Sequence, residues 1–302
     1  MSTSEQQSER LQVSVVLPCY NERDHVEKEV VRIREALETA GMRYEIICID
    51  DGSTDGTREL IAQFPEQYRG VRTILFPRNQ GSGTARRIGS QEARGDVVVW
   101  TDADMTYPNE LIPQLVRELD DPTFDQVVGA RKTEAGTYKF FRVPAKWVIR
   151  RLASYLTNSP IPDLNSGLRA FRREVAQPYL RLLPPGFSCV TTITLAFLSN
   201  GHQIKYVPID YFKRAGTSKF HPFHDAYKYI IQVLRMVMYF NPLRVLMPLA
   251  LWLMAAGFIK LGYDLIAHPF RVAGSTVLVG LAGFQIAALA LLADLVVRRT
   301  SE

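Results

Sequence analysis

The sequence predicts an α/β protein with a mainly parallel sheet, followed by two membrane-spanning helices. Short apolar strands alternate with amphipathic helices from residue 13 to about residue 130, and two long apolar stretches lie near the C-terminus. Strands separated by helices form crossover units, which pair the strands in parallel. Ligands of such sheets bind beyond the carboxyl ends of the strands, so we expect the functional residues in the loops that follow them.

The apolar pattern predicts the individual elements of this domain. Helices are expected over residues 24–40 and 82–93. Strands are predicted at 13–17, 44–49, 71–76, 97–101 and 126–130. Cys19, Cys48 and Cys189 have neither the spacing of a zinc site nor that of a disulfide framework, which indicates a reducing compartment.

Composition divides the chain into four parts. Residues 1–12 form a polar tail without the apolar core of a signal peptide, and residues 13–221 form the α/β domain. An amphipathic helix at 222–241 leads into the membrane region, 242–302, with spans at about 243–267 and 275–297. The second span has 23 residues, enough to cross a bilayer core, whereas a buried hairpin of a soluble protein is the weaker alternative.

The basic residues around the two spans predict their orientation. Arg235 and Arg244 precede the pair and Arg298 and Arg299 follow it, whereas the connection 268–274 contains only Arg271. By the positive-inside rule, we expect a multi-pass protein of the cytoplasmic membrane, with the α/β domain in the cytoplasm. Lys260, inside the first span, must reach the interface or lie within the helix pair.

The net charge of +5 suits an anionic membrane surface or a phosphate-bearing substrate. Nucleic acid is not expected as a partner, because no run interleaves aromatic and basic residues. Residues 140–156 form a basic amphipathic pattern, which fits equally an interfacial helix and an ordinary surface helix. Residues 214–220 fit either a loop that closes over a ligand or a simple surface turn.

Two acidic residues, Asp102 and Asp104, directly follow the predicted strand at 97–101. Carboxylates one residue apart supply hard oxygen ligands for Mg²⁺ or Mn²⁺, and such a cation bridges substrate phosphates. The alternative is a turn or helix cap before Pro108. The neighbouring loops favour the metal site.

Those loops carry residues suited to a nucleotide. Asp51 can accept a base N–H, Gly81 and Gly83 permit close approach of the backbone, and Arg86 can meet a diphosphate. Each has an ordinary structural explanation as a turn, a cap or a solvated side chain. Because the loops share one sheet edge, their combination favours a nucleotide site.

The motifs in this order resemble those of inverting glycosyltransferases with the GT-A fold, a Rossmann-like architecture. The resemblance covers about the first 220 residues and is nearest to the dolichyl- and polyprenyl-phosphate sugar transferases, which include dolichyl-phosphate mannose synthases. The matching segments are LPCYNE (17–22), IDDGSTDGT (49–57), NQGSGTARRIG (79–89), GDVVVWTDADMTYP (95–108), VGAR (128–131), DLNSGLRAF (163–171) and RAGTSKF (214–220). The C-terminal hairpin resembles that of bacterial members with membrane helices.

The resemblance implies that a hexose is transferred, with inversion, from a UDP- or GDP-sugar to a polyprenyl phosphate in a lipid bilayer. It implies that Asp102 and Asp104 bind Mg²⁺ or Mn²⁺; Thr106 stands where some relatives have a glutamine ligand. The residues implied to contact the nucleotide are Pro18, Tyr20, Glu22, Asp51, Arg86 and Asp102.

A second set of residues is expected to hold the acceptor phosphate: Arg131, Arg142, Lys146, Arg169, Arg214 and Lys219. Asp163 is expected to be catalytic, by orienting these residues or by approaching the metal; the alternative is an internal ion pair with Arg169. Two other functions remain open. A processive polysaccharide synthase is disfavoured because the chain has no Q-x-x-R-W motif, and a non-catalytic membrane scaffold is disfavoured by the intact Asp102 and Asp104. The sequence leaves a homo-oligomer open.

Overall fold

The structure is a computed structural model that describes residues 11–132, 151, 154, 157, 159–186, 188–212, 238, 242–268 and 271–301. Four predicted acceptor residues lie outside this set: Arg142, Lys146, Arg214 and Lys219. The same holds for the 214–220 segment and for nearly all of the two predicted amphipathic helices.

Seven strands of the described residues form one sheet, in the order β3-β2-β1-β4-β6-β5-β7. Their bounds are β1 Val13–Cys19, β2 Tyr44–Asp50, β3 Val71–Leu75, β4 Val97–Trp100, β5 Gln126–Arg131, β6 Arg169–Arg172 and β7 Ile204–Ile209. The five predicted strands are confirmed with bounds shifted by at most two residues, whereas β6 and β7 were not predicted.

Helices cover both faces of this sheet, which gives three layers. The α-helices are α1 Val26–Thr39, α2 Thr57–Ala62, α3 Phe64–Gln67, α4 Ser82–Glu92, α5 Ile112–Arg117, α6 Arg173–Ala176, α7 Cys189–Ser199, α8 Pro242–Ala267 and α9 Gly274–Ser301. Short 3₁₀ helices occupy Asn109–Leu111, Glu118–Asp120 and Gln177–Leu182. The predicted α/β fold with a C-terminal helical hairpin is therefore confirmed.

The strands β1, β2 and β4 at the centre of the sheet are largely apolar because both of their faces are buried. Val15 and Leu17 of β1 pack with α1 on one face, whereas Val16 packs on the other face with Trp100 and with Phe197 of α7. This alternation follows from the two-residue period of a strand. The polar side chains of the candidate site lie beyond the ends of these strands.

One strand of the sheet runs against its neighbours. Strand β6 pairs antiparallel with both β4 and β5, and Arg169, its first residue, lies opposite Trp100 and Val128. The remaining pairs, β1 with β2 and β4, β2 with β3 and β5 with β7, are parallel. The segment that precedes β6 therefore arrives at the edge where β4 and β5 end.

Helices α8 and α9 are long and apolar enough to cross a membrane. They pack closely through small residues: a Cβ added to Gly257 would lie 3.2 Å from the backbone of Gly280, and one added to Gly283 would lie 2.7 Å from the Met254 side chain. Close backbone approach through glycine is typical of helix pairs in membranes.

The connection between these two helices is held by Asp264, which is 4% exposed. Its Oδ2 accepts the backbone N–H of Ala273 at 3.0 Å and the hydroxyl of Thr276. These contacts satisfy donors near the start of α9, where no earlier turn of helix can do so. The Lys260 ammonium lies 3.4 Å from Oδ1 of the same carboxylate, so this cation finds its partner within the hairpin.

Candidate active site

The loops after β1 and β2 are joined by side-chain hydrogen bonds. Asn21, at φ 57°, accepts the backbone N–H of Thr54 at 2.9 Å, and its own N–H donates to the Ser53 hydroxyl at 3.0 Å. Asparagine tolerates this left-handed conformation better than most residues. Tyr20, 47% exposed, and Glu22 flank Asn21, and Pro18 lies within β1, so these three predicted nucleotide residues share one edge of the sheet.

Asp51 ties the loop after β2 to the loop after β3. It is 2% exposed, and its two oxygens accept the backbone N–H groups of Gln80 at 2.6 Å and Gly81 at 2.9 Å. Burial raises the pKa of Asp51, and these two hydrogen bonds oppose that rise. A carboxylate oxygen can accept a second hydrogen bond, so the position remains compatible with the predicted contact to a base.

Gly81 and Gly83 lie against another segment of the chain. A Cβ on Gly81 would overlap the Pro185 carbonyl and one on Gly83 the Pro184 carbonyl, and the Gly83 N–H donates to the Pro185 carbonyl at 2.7 Å. The backbone that approaches these glycines closely is therefore the chain's own segment, Pro184–Gly186. The approach of a nucleotide to the same loop stays a prediction.

Asp102 is paired with a buried cation. Arg86, 1% exposed, donates from Nη2 to Asp102 Oδ1, and its guanidinium carbon lies 5.8 Å from the centroid of the Trp100 ring. The Asp102 side chain is 28% exposed and faces the sheet edge. Arg86 thus places a permanent positive charge directly behind the carboxylate that was predicted to bind metal.

The second oxygen of Asp102 lies against Gly167. A Cβ at that glycine would be 2.7 Å from Asp102 Oδ2, and the Gly167 N–H donates to the Tyr107 hydroxyl at 2.7 Å. A side chain at position 167 would displace the carboxylate. The segment before β6 is therefore in direct contact with the loop that carries Asp102.

Asp104 is oriented by Thr106. The Thr106 hydroxyl donates to Asp104 Oδ1 at 2.5 Å, across Met105, which has φ 60°. A left-handed methionine is uncommon, and such backbone outliers concentrate at functional sites. Where some relatives have a glutamine ligand, this chain has a buried hydroxyl that fixes the second carboxylate instead.

Arg131 and Asp163 form a bidentate ion pair at the ends of β5 and of the segment before β6. The distances are 2.7 Å from Nε to Oδ2 and 2.9 Å from Nη2 to Oδ1. Burial alone would raise the pKa of Asp163, but the hydrogen bonds and the charge of Arg131 outweigh it and lower the pKa. The expected alternative, an ion pair of Asp163 with Arg169, is wrong because Asp163 is engaged by Arg131.

Arg169 lies in the interior and not at an acceptor surface. It is fully buried, and Nη1 donates to the Val190 carbonyl and to the Thr194 hydroxyl, each at 2.8 Å. A further hydrogen bond to the Ser166 carbonyl holds the segment before β6. Burial lowers the pKa of Arg169 to about 10. We therefore leave Arg169 out of the acceptor contacts.

Two tyrosines that the sequence did not single out connect these parts. The rings of Tyr107 and Tyr211 are 5.2 Å apart at 66°, and the Arg131 guanidinium carbon lies 5.2 Å from the Tyr211 ring centroid. Burial raises the pKa of Tyr211. Tyr211 follows the carboxyl end of β7, so an additional strand prediction there would have indicated it.

The part of the chain that carries the candidate site matches a known family of enzymes in sequence. Residues 14–180, more than half of the chain, match the sequence profile of glycosyl transferase family 2. The chain belongs to this family. Residues 241–298 match a second profile, that of the GtrB C-terminal hairpin, which covers α8 and most of α9. The enzyme is therefore a family 2 glycosyltransferase with a hairpin of the GtrB type.

Solved structures resemble the chain in fold. The glucosyl-3-phosphoglycerate synthase of Mycobacterium tuberculosis with Mn²⁺, UDP and phosphoglyceric acid is 25% identical, with a TM-score of 0.58 over 77% of this chain and 80% of that chain. Its complex with Mn²⁺, UDP-glucose and phosphoglyceric acid is 24% identical, with a TM-score of 0.58 over 77% of this chain and 81% of that chain. The mannosyl-3-phosphoglycerate synthase of Rubrobacter xylanophilus is 21% identical, with a TM-score of 0.57 over 78% of this chain and 74% of that chain.

The Arg131–Asp163 pair generates a prediction for the pH dependence of stability. Because the pKa of Asp163 is lowered in the folded protein, the pair stabilises above the unfolded pKa of about 3.9 and is lost as the pH falls through the folded pKa. Asp163→Asn should cost about 2 kcal/mol at pH 7, since it leaves the Arg131 guanidinium, which is 12% exposed, without its carboxylate. Thermal unfolding in detergent at pH 7, 5 and 3 measures this difference.

The difference in the free energy of unfolding between wild type and Asp163→Asn should be the same at pH 7 and at pH 5, and it should be smaller at pH 3. Asp210→Asn is the control, because Asp210 is 71% exposed and its pair with Lys132 should contribute little at any pH. A difference that stays constant down to pH 3 would contradict the proposed cause.

Proposed function

We propose that this family 2 glycosyltransferase transfers a hexose from a UDP- or GDP-sugar to a polyprenyl phosphate, with inversion, at the cytoplasmic face of a membrane. One observation carries the proposal. The Asp102–Asp104 loop and the Arg131–Asp163 pair meet at one sheet edge, in a chain that continues into an apolar helical hairpin. A site for a metal-bound diphosphate beside a cation for a second phosphate suits a phosphorylated acceptor, and the hairpin suits a lipid.

The two carboxylates fit a divalent cation. Asp102 and Asp104 lie one residue apart on one loop, and no third carboxylate, histidine or cysteine of the described residues clusters with them. Mg²⁺ and Mn²⁺ prefer octahedral oxygen ligands, so a cation held there keeps positions for diphosphate oxygens and water. Bound there, it would neutralise charge on the departing nucleoside diphosphate. The Mn²⁺ and UDP-glucose in one structural relative support this assignment.

The residues of the donor side then have separate tasks. Arg86 balances the charge of Asp102 from within the core, and Thr106 fixes the direction of Asp104. Asp51, Tyr20 and Glu22 lie along the same edge, in the loops where the base and ribose of the donor would bind. The charge beside Asp102 and the direction of the Asp104 carboxylate are thus set before the donor binds, which is the condition for electrostatic catalysis.

The acceptor side requires positioning more than proton transfer. A phosphate monoester has its second pKa near 6, so at neutral pH its oxygen is already a nucleophile. Arg131 binds it in the proposal, and Asp163 holds the guanidinium fork in one direction. Asp163 is then a positioning residue. Arg142, Lys146, Arg214 and Lys219 complete the proposed contacts from outside the described residues.

A soluble phosphorylated acceptor is the second candidate. The structural relatives are synthases of glucosyl- and mannosyl-3-phosphoglycerate, whose acceptors also carry a phosphate. The hairpin favours the lipid, because a soluble acceptor gains nothing from a membrane anchor. Incubation of the enzyme in membranes with labelled UDP- and GDP-sugars, and with either polyprenyl phosphate or 3-phosphoglycerate, separates the two by the solubility of the labelled product.

The first prediction from this proposal concerns the metal. Asp104→Asn should reduce sugar transfer by at least about a hundredfold, because an amide is a poor ligand for a hard cation. Asp102→Asn should do the same, and it should also lower stability by leaving buried Arg86 unpaired. Asp210→Asn, an exposed aspartate beyond β7, is the control. Full activity in EDTA would refute the metal site.

The second prediction separates acceptor from donor. Arg131→Ala should remove a charge-assisted contact of about 1.5–3 kcal/mol, a loss of roughly ten- to a hundredfold in kcat/KM for the lipid. Nucleotide-sugar affinity, measured by calorimetry without lipid, should hardly change. Arg131→Lys should recover part of the loss, since a point charge replaces a fork.

Arg131→Ala also breaks the pair with Asp163, so Asp163→Asn is the matched control. It breaks the same pair but retains the cation, and it should lose less lipid affinity than Arg131→Ala does. A variant at position 131 that loses donor binding instead would move Arg131 to the diphosphate.

The third prediction concerns topology. Arginines flank the hairpin at Arg244 and Arg298, so the connection between α8 and α9 should face away from the cytoplasm. A cysteine introduced at Val272, which is 45% exposed, should react with an impermeant thiol reagent added to intact cells. A cysteine at exposed Asp210 should react only after the cells are opened. The reverse pattern would place the catalytic domain outside.

A further inference from the structure

The buried face of helix α1 contains a carboxylate, Glu29, among apolar residues that pack against the sheet. The Glu29 side chain is fully buried, and a buried carboxylate is costly unless it is paired or hydrogen-bonded. Its Oε2 accepts the side-chain amide N–H of Asn109 at 2.7 Å. Its Oε1 accepts no hydrogen bond from the described residues and lies 3.8 Å from Nη1 of Arg32. The close partner of Glu29 is therefore Asn109, which lies just beyond the metal carboxylates in the sequence.

The same asparagine joins the two ends of the loop that carries those carboxylates. The hydroxyl of Thr101, the residue directly before Asp102, donates to Asn109 Oδ1 at 2.5 Å. An ionised carboxylate accepts and this hydroxyl donates, so both polar groups of the Asn109 amide are used. Residues 101–109, called the metal loop below, are thus closed at their base by a bridge of three buried side chains, Glu29, Asn109 and Thr101.

Helix α1 makes a second contact with the metal loop. Arg32, one turn after Glu29, donates from Nη1 to the Tyr107 carbonyl at 3.2 Å and forms an ion pair with Glu110. Residues three apart share one face of a helix, so Glu29 and Arg32 face the loop together. The Tyr107 hydroxyl in turn accepts the Gly167 N–H at 2.7 Å. The metal loop is therefore held between α1 on one side and the segment before β6 on the other.

We propose that Glu29 is a positioning residue that fixes the metal loop on α1 through Asn109. The inference rests on the proposed function, which assigns a divalent cation to Asp102 and Asp104. A cation binds tightly when its ligands are already held in one arrangement, and hydrogen bonds from residues behind the ligands provide this. Loss of the bridge should therefore weaken binding of the cation, although no residue of the bridge is itself a proposed ligand.

The experiment measures Mn²⁺ binding to the full-length protein in detergent, in the presence of UDP or GDP, by calorimetry. Thr101→Val keeps the shape of the side chain and removes the hydroxyl. It should weaken the Mn²⁺ affinity about two- to tenfold, the usual effect of one lost hydrogen bond. Thr101→Ser retains the hydroxyl, so its Mn²⁺ affinity should stay within about twofold of the wild type. Glu29→Leu should weaken the affinity at least as much as Thr101→Val does.

The bridge also predicts that the two losses overlap. Thr101→Val separates the start of the metal loop from Asn109, and Glu29→Leu separates Asn109 from α1. The double variant should therefore bind Mn²⁺ no more weakly than Glu29→Leu alone, because both changes break the same bridge. Additive losses of binding free energy would show two independent contacts and would overturn the proposal.

Glu45→Leu is the matched control. Glu45 is also a buried glutamate, which accepts the Ser14 hydroxyl at 2.7 Å and pairs with Arg72 at 2.8 Å. It lies near the start of β2, at the sheet edge opposite the candidate site. Glu45→Leu should therefore lower the temperature of unfolding, as Glu29→Leu does, and leave the Mn²⁺ affinity unchanged. Equal Mn²⁺ affinities in the two variants would show that Glu29 acts on stability alone.

The outcomes separate the two hypotheses. Wild-type protein that binds Mn²⁺ with nucleotide, together with an unchanged affinity in Thr101→Val, would overturn the positioning role of the bridge and leave the metal site standing. Wild-type protein that binds no Mn²⁺ with either nucleotide would overturn the proposed metal site, and the positioning role with it.

Discussion

The candidate site depends on the reversed direction of β6. In a wholly parallel sheet, the segment that precedes a strand lies at the edge opposite the ligand. Because β6 pairs antiparallel with both β4 and β5, the segment from Asp163 to Gly167 arrives beside the ends of those two strands. Asp163 can then meet Arg131, and Gly167 can lie against Asp102. One reversal of direction thus brings Asp163 and Gly167 to the edge where Arg131 and Asp102 lie.

Two buried arginines, Arg86 and Arg169, form hydrogen bonds with the residues of that edge. Burying a charge is costly unless it is paired and hydrogen-bonded. Arg86 meets the requirement with Asp102, so its burial is coupled to the direction of a functional carboxylate. Arg169 is stabilised by hydrogen bonds alone, which it donates to the carbonyls of Ser166 and Val190 and to the hydroxyl of Thr194. The first cation sets the charge of the site, and the second fixes the backbone of the segment before β6.

The sequence predicted the parts of the protein that local patterns determine. Five strands and the hairpin each produce a periodic or apolar run, and these were confirmed. Strand β6 has only four residues, two of them arginine, so no period-two pattern is visible. Its place depends on partners far along the chain. The same reason explains why Arg169 was placed at the acceptor site by the sequence although it is buried: its contacts join it to residues distant in sequence, Val190 and Thr194.

The hairpin changes what the acceptor contacts must achieve. One structural relative, the glucosyl-3-phosphoglycerate synthase, shares the fold and is seen in complex with phosphoglyceric acid, a phosphate-bearing compound without a lipid chain. In the proposed reaction, an enzyme anchored by α8 and α9 meets a lipid phosphate that is confined to the same membrane, so the encounter with the acceptor is in effect intramolecular. A high effective concentration reduces the binding energy that the acceptor site itself must supply. In the proposed reaction Arg131, held in direction by Asp163 and by the Tyr211 ring, is one of the cations that place the nucleophilic phosphate oxygen.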